Sequence, residues 1–275
     1  MKSFLVAAIG VFFVMCLSCN KSVSGKNEPP ISDSRTVLLK EVEEERLPSP
    51  YFSLAYNDSN FVTHIGFASG LFSWKVEYEN NRVIRMINDV LVNHDTLLYT
   101  YANGRVVTIR HTNANTGAPR WRYDFSYDGN AVLKEIRWWS FPTPGADSIL
   151  FRKVILQYYA DGNLQQYDDY NTDNNNGPVT LTNTVNFSNY DQGINVDDFY
   201  LLKNFWDDLL FLPQVKLQKN NPGHVTMTGA TNDYVIDYTY QYNADKLPVQ
   251  KDLTMTITRG ANTGQQYTFT DRFSY

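Results

Sequence analysis

Residues Tyr99 to His111 read "YTYANGRVVTIRH": a run of β-formers, a turn, and a second run of β-formers. Asn103-Gly104 is the dipeptide that best tolerates the two positive φ angles of a tight hairpin turn, and the flanking Tyr, Thr, Val and Ile residues suit a pleated strand. The same phrase of a tyrosine, a few small polar residues and an aliphatic recurs at Tyr56–Val62, Tyr78–Val83, Tyr127–Val132, Tyr159–Leu164 and Tyr242–Leu247. Its spacing drifts from 22 to 32 residues before a longer gap, so it is a degenerate repeat and not a strict solenoid period.

Segments between the turns alternate with period two. Trp121, Tyr123, Phe125 and Tyr127 oppose Arg122, Asp124 and Ser126; Tyr234, Ile236, Tyr238, Tyr240 and Tyr242 oppose Val235, Asp237, Thr239 and Gln241; Leu253, Met255 and Ile257 oppose polar neighbours. One apolar and one wet face is the mark of antiparallel sheets. The expectation is an all-β, antiparallel meander curled into an open or closed barrel-like sheet. One stretch departs from the pattern: in Asn195 to Pro213, Phe199, Leu202, Phe205, Trp206, Leu209 and Leu210 fall at helical spacing. Asn195 or Asp197 would cap that helix and Pro213 would stop it, giving one short helix over an open end of the sheet.

The 275 residues are 43% hydrophobic and 15% aromatic, ample for a core, and the net charge of -5 has no basic cluster to meet nucleic acid. At the N-terminus, Phe4 to Met15 is an apolar run too short to span a bilayer, followed by Leu17-Ser18-Cys19. This predicts a lipoprotein signal at residues 1–18, lipidation at Cys19 and hence a membrane partner through an N-terminal lipid anchor. Residues 19–34 then read as a polar tether and 35–275 as a single β-meander domain. Cleavage leaves Cys19 as the sole cysteine, which removes any intrachain disulfide.

With these residues in view, the repeated Tyr-x-Asn/Asp-Gly-x-aliphatic phrase resembles the YD-type repeats of bacterial cell-surface proteins. The span from Tyr190-Asp191 through Asn220-Asn221-Pro222 to Tyr238-x-Tyr240-x-Tyr242-Asn-Ala-Asp-x-Leu247-Pro248 is similar to a Bacteroidota lipoprotein family of unknown function. The resemblance implies a porin-like antiparallel fold in the outer envelope. The absence of an acidic export-tag cluster after Cys19 favours the periplasmic face of the outer membrane over the cell surface. The family phrase usually has Gly where this chain has Lys246, which predicts a different turn type there.

Chemistry is sparse in the sequence. His64, His94, His111 and His224 lie far apart, no phosphate loop or nucleophile elbow is present, and no cofactor or metal is implied. In "DDYNTDNNNGP" Asn171, Asp173 and Asn175 fall in step with a calcium loop, but Gly177 comes one place late and Thr182 stands where the bidentate Glu belongs. The paired acids Asp168-Asp169, Asp197-Asp198 and Asp207-Asp208 do not make a glycosidase pair, because strand neighbours point to opposite faces. The residues best placed for recognition are Trp138 and Trp139 in "RWWSFPTPG": strand parity groups Trp138 with Ile136 and exposes Trp139, which could stack on a glycan or on an envelope protein. The preferred function is a non-enzymatic, lipid-anchored binding or scaffold module. A glycan-active hydrolase and an outer-membrane barrel are the alternatives, the latter prompted by Tyr267, Phe269, Phe273 and Tyr275 but opposed by Asp271 on the same face.

Overall fold

The computed structural model describes residues 32–275, apart from 91–94, 114, 143–144, 146, 173–176, 198–202, 205–207 and 210. The chain runs through β1 (Glu41–Glu44), β2 (Phe52–Tyr56), β3 (Val62–Phe67), β4 (Phe72–Glu79), β5 (Arg82–Asn88), β6 (Thr96–Ala102), β7 (Arg105–Thr112), β8 (Pro119–Tyr127) and β9 (Leu133–Ser140). It continues through β10 (Ile149–Tyr158), β11 (Leu164–Asn171), β12 (Thr180–Ser188), the two-residue strands β13 (Lys203–Asn204) and β14 (Asp208–Leu209), and then β15 (His224–Gly229), β16 (Asp233–Tyr242), β17 (Pro248–Arg259) and β18 (Gln266–Ser274). All but β13 and β14 form one closed, antiparallel, sixteen-stranded barrel in which successive strands are neighbours.

Closure falls to β1, the shortest barrel strand. It pairs with β18 from Glu41↔Ser274 to Glu44↔Asp271, and with β2 at Glu41↔Ser53 and Val42↔Phe52. Sealing the sheet in this way leaves no barrel strand with an unpaired edge along its whole length.

The recurrent tyrosine phrase proves to be a compound structural unit. In six hairpins the register shifts immediately before the strand's last tyrosine: at Ala55/Tyr56, Glu77/Tyr78, Thr100/Tyr101, Ser126/Tyr127, Gln157/Tyr158 and Gln241/Tyr242. Each shift is a bulge that adds one residue to the returning strand. The inward positions of that strand therefore fall three apart, as Val62/Ile65, Val83/Met86, Val106/Ile109, Leu133/Ile136 and Leu164/Tyr167. Simple alternation puts Leu133 on the side of Trp139; the bulge turns it into the core, where it is 2% exposed.

The turns carry left-handed residues at Asn60, Asn81, Asn103, Gly104, Ala131, Gly162 and Lys246. Lys246, at φ +60°, corrects the expectation of a different turn type. Its N–H donates to the Asn243 carbonyl at 3.1 Å, just as Ala131 N–H donates to the Asp128 carbonyl at 3.0 Å. The Asn243 side chain accepts from the N–H groups of Asp245 and Leu247 as Asp128 does from Asn130 and Val132, and this local bonding imposes the turn without a glycine.

The barrel is polar outside and apolar inside. Its outer face carries cross-strand pairs such as Arg85 with Glu77, Thr108 with Asp124, His224 with Asp237 and Thr270 with Asp252. Its interior is filled by side chains including Ile65, Met86, Ile109, Tyr123, Ile136 and Trp138, each 1% exposed or less. Sixteen strands are enough to enclose a channel, yet here the space is largely core. The segment 189–223 adds Val196, Phe211, Leu212 and Leu217 to that core. It is fastened by Tyr99 Oη donating to the Phe211 carbonyl at 2.9 Å and by the Lys219 and Asn220 N–H groups donating to Asn163 Oδ1.

The helix expected over Asn195 to Pro213 does not appear among the described residues of that stretch. Lys203↔Leu209 and Asn204↔Asp208 form a small antiparallel ladder instead, while Phe199, Leu202, Phe205, Trp206 and Leu210, most of the expected apolar face, lie outside the described residues. No helix among the described residues is long and apolar enough to cross a membrane. Asp33, within the stretch read as a tether, is 1% exposed and accepts the Val83 N–H at 2.8 Å. Burial raises its carboxyl above the ordinary range, although the Val83, Gln214 and Tyr101 hydrogen bonds oppose the shift.

Candidate functional site

Inside the wall formed by β11, β12 and β15 to β18 lies a cavity of about 430 Å³. Its sides are the inward residues Tyr167, Val185, Phe187, Val225, Met227, Ile236, Leu253, Met255, Phe269 and Phe273, with Glu44 at the end of β1, beside Asp271, and the following Glu45 to Leu47 running on past Phe269. At one end stand Asn195, Asp197, Gln218, Asn221 and Pro222 of the inserted segment, together with Tyr238, Tyr240, Lys251 and Asp271. The C-terminal aromatic stripe that suggested a membrane barrel thus faces inward, and Asp271 belongs to it as part of the lining.

Three charges mark the polar end. Lys251 Nζ is 2.7 Å from Asp271 Oδ2 and 2.9 Å from Asp197 Oδ2, and none of the three side chains is more than 16% exposed. Burial alone would drive the proton off Lys251, but Asp197 and Asp271 outweigh it and hold the amine well above its ordinary value. The cation also sits 5.8 Å from the ring centres of both Tyr238 and Phe273. Two acids thus converge, as a glycan-active hydrolase would require, but an ammonium lies between them and the group is an ion triad.

Tyrosines extend the polar end toward the inserted segment. Tyr238, Tyr240 and Tyr242 follow one another at ring spacings of 6.2 and 6.0 Å. Tyr240 Oη donates to the Pro222 carbonyl at 3.0 Å, while Tyr242 Oη accepts from Asn221 Nδ2 at 3.0 Å and donates to Asp191. Desolvation raises the phenols of both Tyr238 and Tyr240.

The bulged repeat picks out Lys251 as unusual. In β17 the two inward positions three apart are Pro248 and Lys251, where the other five hairpins place Ile65, Met86, Ile109, Ile136 and Tyr167. Aligning the repeats on their turn phrase would have revealed a lysine where the barrel elsewhere buries an apolar or aromatic side chain. Nothing in the sequence points to Asp197 as its partner, because that residue read as a helix cap.

The sequence-derived candidates lie elsewhere. Trp138 is 1% exposed, stacked by the Arg152 guanidinium at 4.7 Å and edge-on to Tyr123, and Arg152 is held by a bidentate pair with Asp169 at 2.7 and 2.8 Å. Trp139 is half-buried on the outer face under the Arg122 guanidinium at 4.9 Å. Neither tryptophan lines the cavity. Cys19 lies outside the described residues, as do His94, Asp173 and Asn175, while Asn171 Nδ2 donates to Thr182 Oγ1 at 2.8 Å. His111 pairs with Asp95 at 3.0 Å and His224 with Asp237 at 2.7 Å. Among the described residues no three His, Cys, Asp or Glu side chains are grouped to hold a metal ion.

Two solved structures share this architecture. A porin-like protein from Bacteroides vulgatus is 15% identical, with a TM-score of 0.55 over 87% of this chain and 99% of that one. A porin-like protein from Bacteroides uniformis is 14% identical, with a TM-score of 0.52 over 81% of this chain and 88% of that one. The fold is porin-like. No family model and no curated protein matches the chain. The porin-like barrel differs from an open channel in the side chains filling its interior, among them Val196, Phe211, Leu212 and Leu217 between β12 and β15.

Proposed function

We propose that this chain is a lipid-anchored binding module of the bacterial outer envelope, and that it binds small molecules in the barrel interior. The observation that carries this reading is the polarity of the wall: charges and threonines outside, an apolar cavity inside. Cavities of this size, with a few convergent polar groups, are the usual form of a small-molecule site. The likeness of the turn phrases to a Bacteroidota lipoprotein family, and the Leu17-Ser18-Cys19 sequence, support anchoring at Cys19 on the periplasmic face of the outer membrane. A glycan or an envelope protein remains the proposed partner for Trp139, whose outer-face position suits contact from outside the barrel.

The closed sixteen-stranded topology favours a second reading, an outer-membrane barrel. A lipid-facing wall requires an apolar band with aromatic girdles, whereas this wall bears Lys75, Arg85, Arg110, Arg137, Asp237 and Arg272, all exposed. The test is detergent-free purification followed by titration with Nile red. The binding-module reading expects a monodisperse protein that binds the dye at one site, with Leu253→Trp filling the site and abolishing the signal. A chain that stays in solution only with detergent and conducts ions in planar bilayers would establish the channel. Labelled fatty acid incorporated into the wild type but not into Cys19→Ala would establish the anchor.

A further inference from the structure

Resting on the reading of the cavity as a binding site, we propose that its ligand is a cationic amphiphile, an organic amine with an apolar body. The first ground is charge. The lining contributes four carboxylates, Glu44, Glu45, Asp197 and Asp271, against two cations, Arg46 and Lys251, which leaves a surplus of two negative charges. Both cations are already engaged: Lys251 lies between Asp197 and Asp271, while Arg46 lies 5.4 Å over the Phe269 ring and 3.7 Å from Glu45. An anionic head group entering this space would meet excess carboxylate and two cations already engaged with carboxylates. An ammonium would meet the reverse.

The second ground is aromatic. Phe269, Phe273, Tyr238 and Tyr240 all line the cavity, and the position of the Lys251 ammonium against two of these rings shows that their faces accept a cation here. The third ground is the apolar wall. Along β17 the lining runs from Lys251 to Met255, roughly 13 Å at strand spacing, with Leu253 between them. Met227 and Met255 add unbranched, polarizable side chains that adapt to an alkyl chain without fixing its shape. A charged end, aromatic flanks and an apolar run are laid out in the order in which an alkylamine presents its own parts.

The experiment displaces Nile red from the purified full chain with dodecylamine, dodecanol and dodecanoate, each below its micelle concentration. The expected order is amine, then alcohol, then carboxylate, with the amine at least about tenfold stronger than the alcohol. Added salt should weaken the amine and leave the alcohol unchanged. Asp271→Asn should remove most of the amine's advantage while dodecanol binding is retained. Because that variant disturbs a buried ion triad, Glu45→Gln on the exposed β1–β2 connection provides a second reading, with a smaller loss confined to the amine. Dodecanoate equal to or stronger than dodecylamine, or an amine preference unchanged in both variants, overturns the inference while the cavity reading stands. Failure of Nile red to bind at all overturns both.

Discussion

The Tyr78 hydroxyl donates to the Val62 carbonyl at 2.9 Å, and in doing so ties the close of one turn phrase to the opening of the next. The same link joins Tyr101 to Val83, Tyr127 to Val106, Tyr190 to Leu164 and Tyr275 to Pro248, at 2.6 to 2.9 Å. Each tyrosine reaches back to the first inward residue of a returning strand, whose carbonyl is freed by the neighbouring turn. In these five places the hairpin takes a hydroxyl from its neighbour, which gives the recurring tyrosine a structural role. The other repeat tyrosines use their hydroxyls elsewhere: Tyr56 and Tyr159 donate to the Leu39 and Phe187 carbonyls, and Tyr242 to the Asp191 side chain.

Removal of one such hydroxyl should therefore cost about 1 kcal/mol, the ordinary net worth of a partly buried hydrogen bond. Tyr78→Phe and Tyr127→Phe share no partner, and urea denaturation of the double variant should show their costs adding. Two silent substitutions would refute the role given to these links.

Lys246→Gly should raise stability. A side chain at φ +60° carries about 1–2 kcal/mol of strain, and glycine's greater freedom in the unfolded chain offsets part of the relief, leaving a gain of about 0.5–1 kcal/mol. Lys246→Val, branched at Cβ, should lower the unfolding midpoint. A glycine variant less stable than wild type would contradict the turn assignment.

Stability should decline in alkali over a defined window. Desolvation pushes Tyr127 up to about 12, and desolvation aided by the nearby Asp169 pushes Tyr167 up to about 12. An unfolded chain loses these protons near pH 10, so between about pH 10 and 12 the folded state holds protons that the unfolded state has released. Folding stability therefore falls as pH rises through that interval and is untouched by these groups below it. Urea midpoints at pH 9 and 11, followed with phenolate absorbance, check this; equal midpoints would count against it.

The two adjacent tryptophans should separate cleanly. Trp138→Ala empties a core position and should cost about 3–5 kcal/mol. Trp139→Ala removes a half-buried ring on the outer face whose main partner is the Arg122 guanidinium, at a cost of about 1 kcal/mol. Equal, large losses on thermal melting would place both in the core.

Much of the wall was legible because period-two alternation and turn chemistry are local. The faces of β8 and the parity of Trp138 and Trp139 follow from residues within one strand. Closure was not legible: it depends on four residues, Glu41 to Glu44, meeting β18 at the far end of the chain, and no local pattern in "EVEE" names that partner. Alternation alone misplaces Leu133, because a bulge shifts parity without altering composition. The ion triad escaped for a related reason, since Asp197, Lys251 and Asp271 come from three separate elements and converge only once the barrel curls.

The four-residue seam has a further consequence for how the chain reaches this state. Until β1 docks between β2 and β18, the other fifteen strands form a sheet with two open margins, each presenting unpaired amides to any passing copy. Joining the ends of so long a loop costs little more entropy than joining a loop half its size, so sealing draws on the contacts of this short strand, with Val42 seated between Phe52 and Phe273. Intermolecular association competes with that seam, and the yield of refolded monomer should fall steeply with protein concentration, more so in Val42→Ala.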